Sequence, residues 1–238
     1  MRTSFASDRL APLTAGLAGL AWFWFELAPL RAGFEDMDSP AVGLQFLGAH
    51  PQGFLPAGIA LAIAAIALVA TVITMRDRLE SVGDDRGVGV RTVSVIGLFA
   101  ALFLLGHAAT RLAAGPLTYV QSLDQAWGEA AYLVTQFVGV QLFGVGGAAL
   151  MAIWIAGVAW IGARRGALPL GLAVLAIVPA LRLLALPGLG VLPWFLLVLA
   201  IPGAYVWLIL LGAWPHRSGA TMTAADTLAR TATREAKA

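Results

Sequence analysis

The chain of 238 residues has no cysteine and a single lysine, Lys237. Without cysteine there is no disulfide bond, no thiolate metal site and no cysteine nucleophile, and the redox compartment stays open. Lys237 lies in a polar tail, which excludes a retinal Schiff base or other lysine chemistry inside a membrane. The 15 Lys and Arg residues are dispersed along the chain, so the net charge of +2 predicts no nucleic-acid partner.

Charged residues are also scarce. They make up 12% of the chain, against about 25% in a typical soluble domain. Hydrophobic residues reach 60%, and the mean hydropathy is +0.85. So little polar surface cannot solvate a globule of this size, and we expect the lipid bilayer to surround most of the chain.

Long apolar stretches predict an all-α polytopic protein, a bundle of six transmembrane helices. Crossing a hydrocarbon core of about 30 Å takes roughly 20 apolar residues. Six stretches satisfy this requirement, at about residues 10–30, 54–75, 92–114, 130–161, 168–186 and 191–214. The fourth is longer than necessary, so we expect it to tilt, kink or extend into the outer interface.

The arginine distribution predicts the orientation. With a cytoplasmic N-terminus, the outer side keeps only Arg31, Arg111 and Arg182 of the 15 Lys and Arg residues. The positive-inside rule then places both termini in the cytoplasm. Residues 1–9 form a cytoplasmic N-terminus, 10–214 the membrane domain, and 215–238 a cytoplasmic tail that we expect to be disordered.

The compartment follows from composition and from the first span. Preference for Ala, Gly and Arg over Lys and Asn is associated with bacterial coding, which predicts the bacterial cytoplasmic (inner) membrane. A cleaved signal peptide is the alternative for the first span. Its apolar run exceeds the usual length of about 7–15 residues and ends in the bulky FWFELAPL, so we interpret it as an uncleaved anchor.

Two outer connections carry further features. In the loop 31–53, Ser39-Pro40 resembles a helix N-cap and first helical position, followed by a short helix over AVGLQFLGAH on the membrane surface. The second loop, 115–130, carries the interfacial residues Tyr119 and Trp127. We interpret Trp22 to Phe25, at the outer end of the first span, as part of the aromatic belt.

Five polar side chains fall at one predicted depth. At a rise of about 1.5 Å per residue, Glu26, His107 and Arg182 lie about 21–24 Å from the inner ends of their spans. Gln136 lies about 10 Å below the outer surface by the same count, and Arg111 is one turn above His107 on the same helix face. The sequence therefore predicts a polar intramembrane layer in the outer half of the membrane.

Two interpretations of this polar layer remain open. A charge near the bilayer centre costs roughly 2.5–3.5 kcal/mol, and grouping opposite charges lowers that cost. In one interpretation Glu26 pairs with Arg182 or Arg111 beside His107, in an outward-facing pocket for a small polar ligand or a proton. In the other, the same side chains reach the interface or hold helices together.

Cofactor and metal sites have little support in the sequence. Membrane cytochromes usually bind haem through two axial side chains, and no second histidine lies in a predicted span. A haem bound through His107 alone is therefore kept only as a disfavoured alternative. The three histidines share no metal-ligand spacing, so no metal site is predicted. The acidic Glu35, Asp36 and Asp38 form either a Ca²⁺-attracting cluster or a solvated loop, and the second interpretation is favoured.

Small residues form a stripe along the fourth predicted span. Gly144, Ala148, Ala152 and Ala156 recur every four residues, a pattern that lets another helix approach closely. The alanine-rich second span is the expected partner within the chain, and a homodimer interface is the alternative. We also expect proline kinks in the last two spans, at Pro179, Pro193 and Pro202.

The layout resembles a bacterial family of six-span integral membrane proteins of unknown function. The resemblance covers roughly residues 10–214 and includes one local motif of the form G-x-LP-x-x-LG, here RRGALPLGLAVL at 164–175. The final pair of the motif is inverted in this chain, as Gly171-Leu172. The resemblance implies six helices and transfers no catalytic residue.

Three classes of function remain open from the sequence alone. The first is a non-catalytic subunit or accessory protein of a membrane complex, with other membrane subunits as partners. The second is a small transporter or proton-coupled permease that uses the pocket around Glu26, His107 and Arg182. The third, an intramembrane enzyme or haem protein, is disfavoured because no HExxH, GxGD or Ser-His-Asp set is present.

Overall fold

The computed structural model describes residues 4–31, 40–82, 87–181 and 194–213. These residues are predominantly helical, and they contain no β-strand. The helices are α1 (Ser4–Arg31), α2 (Pro40–Ala49), α3 (Pro51–Ser81), α4 (Val88–Leu112), α5 (Ala114–Leu123), α6 (Gln125–Gln136), a π-helix (Phe137–Val145), α7 (Gly146–Arg164), α8 (Leu170–Leu175), α9 (Ile177–Ala180) and α10 (Trp194–Ala213). The predicted all-α class is confirmed.

Three helical stretches of the described residues are long and apolar enough to cross a membrane, whereas the sequence predicts six. They are Phe54–Ser81, Val88–Leu112 and Gln125–Arg164, and they cover the second, third and fourth predicted spans. The first predicted span falls on α1 and the sixth on α10. The tail 215–238 lies outside the described residues.

The fifth predicted span, 168–186, differs from a continuous helix. Helix α8 ends at Leu175, a turn follows at Ala176, and α9 covers Ile177–Ala180. Pro179 has no amide hydrogen to donate to the Leu175 carbonyl, and its ring crowds that carbonyl, so the helix breaks one turn before the proline. Residues 182–193, including Pro193, lie outside the described ranges, whereas α10 continues through Pro202.

The connection predicted as a loop over 115–130 is helical. Helix α5 ends at Leu123, and the Asp124 side chain accepts a hydrogen bond of 3.0 Å from the Trp127 amide. This N-cap satisfies one of the free amides of the first turn and starts α6. The helical stretch that covers the fourth predicted span therefore begins at Gln125, five residues before the predicted boundary at residue 130.

The core lies among the long helices. Helix α3 packs between α1 and α4, while α7 packs on α4 and α10 packs on α1. The two largest fully buried side chains, Trp154 and Trp207, meet edge to face at 6.1 Å and connect α7 with α10. The Trp207 indole also donates a 2.9 Å hydrogen bond to the Leu172 carbonyl of α8, so a polar group of the broken segment is satisfied inside the bundle.

A smaller core caps the end where α1 and α4 finish. It is formed by Leu44, Leu47, Phe54, Leu117 and Tyr132, which come from α2, α3, α5 and α6. The predicted short helix after Ser39-Pro40 is present as α2, while Ser39 itself lies outside the described residues. Leu44 and Leu47 pack on the neighbouring short helices, and the expected position of α2 on a membrane surface remains a prediction.

Candidate functional site

Phe25 is the centre around which the ionisable side chains of α1 and α4 gather. The ring of His107 meets the Phe25 ring edge to face, with 5.3 Å between centroids. The guanidinium carbon of Arg111 lies over the same ring, 5.9 Å from its centroid. Glu26, next to Phe25 in α1, interacts electrostatically with Arg111. We call Glu26, His107 and Arg111 the polar cluster.

The aromatic run of α1 divides between two faces of the helix. Trp22 and Phe25 are 5% and 6% exposed, whereas Phe23 and Trp24 are 43% and 44% exposed. This division follows from the helical period, which places residues three apart on one face. Trp22 and Phe25 belong to the core, so only Phe23 and Trp24 are exposed as a lipid-facing belt requires, and the interfacial depth of these residues remains a prediction.

Glu26 has polar neighbours on its own helix and on α10. The Trp22 indole nitrogen donates a hydrogen bond of 3.2 Å to Glu26 Oε1, one turn away in α1. Tyr205 of α10 also interacts electrostatically with this carboxylate. The Tyr205 ring in turn packs against Trp22, with 6.5 Å between centroids. The carboxylate is thus held at the junction of α1 with α4 and α10.

His107 is buried and bonded to the π-helix. Its Nδ1 donates to the backbone carbonyl of Gly139, because a carbonyl oxygen can only accept. A π-helix shifts the backbone bonding from four to five residues, and such segments are frequent at functional sites. Gly144, in the same segment, lies beside the His107 ring. The His107 contact therefore joins α4 to the irregular part of the α6–α7 stretch.

Arg111 has a buried donor without a partner. Its Nε is inaccessible to solvent and has no hydrogen-bond partner among the described residues. Its guanidinium interacts electrostatically with Glu26 and with Tyr132 of α6. Most buried polar atoms in folded proteins have a partner, so this nitrogen is an exception that any functional account must explain.

Three of the five residues in the predicted polar layer, Glu26, His107 and Arg111, come together in the described structure. Gln136 is the last residue of α6 and is half-buried, and its side chain makes no capping hydrogen bond to the π-helix that follows. Arg182 lies outside the described residues, and so do Glu35, Asp36 and Asp38. Within the described part of the chain, no three His, Asp or Glu side chains are grouped as for a metal ion.

The sequence reasoning missed two tyrosines that complete the surroundings of the polar cluster. Tyr132 is buried in the cap next to Arg111, and Tyr205 lies beside Glu26. A usable signal for Tyr205 was present, since it carries the one hydroxyl group in the apolar run WFLLVLAIPGAYVWLILL. Tyr132 lies one turn before Gln136 but has no comparable signal.

The stripe of small residues lies along two different contacts. Gly144 faces His107 of α4, and Ala148 and Ala152 are buried. Ala156 is half-buried and lines a groove toward α8 and α9. Helix α4, and not the alanine-rich α3, is the main neighbour of α7.

An apolar groove runs between α7 and the α8–α9 pair. Its volume is about 440 Å³, and it is lined by Ala156, Ala159, Trp160, Ala163, Leu170, Ala173, Val174, Ala176, Ile177 and Ala180. Alanine side chains form much of its floor, while larger side chains form its walls. No ionisable residue lines it, so the polar cluster and the groove are separate features.

Comparisons with known proteins add no assignment to this geometry. No family model, no curated protein and no solved structure matches the chain. The resemblance to a six-span bacterial family therefore remains a prediction from layout.

Proposed function

We propose that the chain is a six-span integral protein of a bacterial cytoplasmic membrane, with both termini inside, that serves as a non-catalytic subunit or accessory protein of a membrane complex. Three stretches of sufficient length and hydropathy support the membrane location. Helix α1, helix α10 and the region from Leu170 onward supply the other three spans of the proposal. The asymmetry of arginine between the two sides supports the orientation.

The observation that carries the accessory role is that the polar cluster is engaged within the chain. Glu26 bonds to Trp22 and interacts with Arg111, while His107 bonds to the Gly139 carbonyl. A charge in a membrane interior costs roughly 2.5–3.5 kcal/mol, and such mutual contacts offset part of that cost. Side chains that bond to one another in this way hold helices together. This supports the role of a subunit whose rigid surface packs against other membrane proteins.

Affinity purification from native membranes in mild detergent tests this role. The tagged chain, expressed from its own promoter, is purified and analysed by quantitative mass spectrometry, with an untagged strain as the control. The proposal expects at least one membrane protein in stoichiometric amount. Recovery of the chain alone or only as a homodimer would contradict it.

A second candidate function, a small transporter or proton-coupled permease, is favoured by one specific observation. The partnerless Arg111 Nε lies beside Glu26 and next to a π-helix. An ionisable residue inside a membrane is a candidate for substrate or proton handling. In this alternative, an outward-facing pocket around Glu26, His107 and Arg182 holds the ligand.

Glu26→Gln separates the two candidates. A transporter would lose transport activity while its abundance in the membrane stays normal. A protein in which Glu26 fastens helices would lose abundance, because the removed charge leaves Arg111 without its counter-charge. Quantitative immunoblotting of membranes measures this abundance, and Glu80→Gln on the exposed end of α3 is the matched control.

A further inference from the structure

The apolar groove ends near two consecutive arginines that have different contacts. Arg165 donates a hydrogen bond of 2.8 Å from Nη1 to the Leu79 carbonyl, so it satisfies one of the free carbonyls in the last turn of α3. The guanidinium of Arg164 lies over the ring of Trp160, 4.1 Å from its centroid. Trp160 is itself a wall of the groove. Arg164 is therefore fixed at the rim of the groove by its aromatic neighbour.

Arg164 has no acidic partner among the described residues. The ion pairs in this part of the chain join Arg76 and Arg91 to Glu80. A guanidinium that lies over a ring face keeps its N–H edge free, and that edge matches the oxygens of a phosphate group. Arg164 is exposed, so an external anion can reach it.

The length of the groove matches one leaflet of a bilayer. The apolar segment Leu170–Ala180, which forms one wall, consists of the short helices α8 and α9, so its length is no more than about 16 Å at 1.5 Å per helical residue. The hydrocarbon core is about 30 Å thick, so the wall covers about half of it. A spanning helix of a partner would need a contact face of twice this length, whereas a single acyl chain fits within one leaflet.

We propose that the groove binds an acyl chain of an anionic phospholipid, whose phosphate group contacts Arg164. The apolar floor takes the hydrocarbon, and the Trp160–Arg164 pair at the rim takes the headgroup. Basic side chains beside grooves between transmembrane helices commonly recognise anionic headgroups on the cytoplasmic side. This inference rests on the proposed membrane location and goes beyond the proposed accessory role.

Acyl-chain quenching in vesicles tests the site. Because the chain has no cysteine, Val174→Cys provides a unique attachment point for a fluorophore on the groove wall. Val95→Cys on α4 is the control, since the two valines are 54% and 50% exposed and Val95 is not part of the groove. Each labelled protein is reconstituted in phosphatidylethanolamine vesicles that contain a small fraction of brominated phosphatidylglycerol or brominated phosphatidylethanolamine.

We expect brominated phosphatidylglycerol to reach the same degree of quenching at position 174 with about one-fifth of the mole fraction that position 95 needs. This factor is the gain in affinity for an anionic lipid that one basic residue near the membrane surface provides. Brominated phosphatidylethanolamine should quench both labels alike. Adding Arg164→Gln should remove the preference for phosphatidylglycerol. Adding Arg91→Gln, which removes the same charge on the same predicted side, should preserve it.

Three results would overturn the inference. One is equal quenching by the two headgroups at position 174, and another is an unchanged preference after Arg164→Gln. A label at position 174 that neither lipid quenches would show that a second copy or another helix occupies the groove. If the chain did not float with the vesicles after a carbonate wash, the membrane location itself would be wrong and this inference would fail with it.

Discussion

Glu26→Gln is the substitution that most sharply probes how α1 is attached to α4. Glutamine keeps the length of the side chain and an oxygen that can accept from the Trp22 indole, so the 3.2 Å hydrogen bond can persist. What disappears is the negative charge that interacts electrostatically with Arg111. The change therefore isolates the electrostatic contribution from the packing contribution.

The magnitude follows from the position of Arg111. Removing one partner of a fully buried ion pair costs about 3–5 kcal/mol. Glu26 is only partly buried and its carboxylate keeps other neighbours, so we expect about 2 kcal/mol of lost unfolding free energy at this site. For a chain of this length, that loss lowers the Tm by about 4–8 °C.

The assay is thermal unfolding of the purified protein in detergent, followed by circular dichroism. The matched control is Glu80→Gln, which breaks an exposed pair with Arg76 of 3.1 Å. An exposed pair contributes about 0.2–1 kcal/mol, so its loss should change the Tm by no more than about 2–4 °C. Equal Tm values for the two variants would refute the reasoning, because Glu26 would then contribute no more than a surface charge.

Two further predictions concern packing, each measured by the same thermal unfolding. Trp207→Phe removes the donor to the Leu172 carbonyl and leaves a gap in the core, so we expect about 1–3 kcal/mol of destabilisation, while Trp127→Phe at an exposed position should cost less than about 0.5 kcal/mol. A similar loss for both tryptophans would show that the hydrogen bond contributes nothing. Gly106→Ala places a Cβ 2.7 Å from an aromatic ring of the π-helix, so about 1–3 kcal/mol should be lost, whereas Gly171→Ala meets no atom within 4 Å and should be neutral or stabilising. A stable Gly106→Ala variant would contradict the close approach of α4 to the π-helix.

The helices that could be predicted well are those with long uninterrupted apolar runs between charged ends. The predicted span 54–75 lies within α3, and 92–114 corresponds to α4 with a difference of four residues at its start. Charged residues such as Arg76 do not end a helix, because α3 continues to Ser81 beyond the apolar run. Hydropathy therefore locates the run but not the helix boundary.

The two predictions that differ from the structure, the fifth span and the 115–130 loop, have local causes that a mean hydropathy does not detect. The fifth span breaks at Ala176 because of a proline three residues later, and the second part of the 115–130 loop is helical because Asp124 caps α6. Both causes depend on hydrogen bonds of single backbone groups. An average over about 20 residues cannot detect them.

The site could be predicted in part, because depth in a helix is a matter of counting. A constant rise per residue places Glu26, His107 and Arg111 at similar levels, and the structure gathers these three side chains around Phe25. Counting residues does not give the rotation of each helix about its axis. It therefore could not indicate that the Gly139 carbonyl accepts a hydrogen bond from His107. It also gave no reason to include Tyr132, whose position is set by the packing of α6 against α2 and α5.

The central claim is that Glu26 and Arg111 stabilise the contact between α1 and α4. A double-mutant cycle with Glu26→Gln, Arg111→Gln and the combined variant tests it most directly, with thermal unfolding in detergent as the measurement. We predict that the second substitution recovers part of the stability lost in the first, with an interaction energy of about 1–2 kcal/mol, because the double variant leaves no unpaired charge. Strictly additive losses would contradict the claim and would favour the candidate in which these side chains serve a transported ligand or proton.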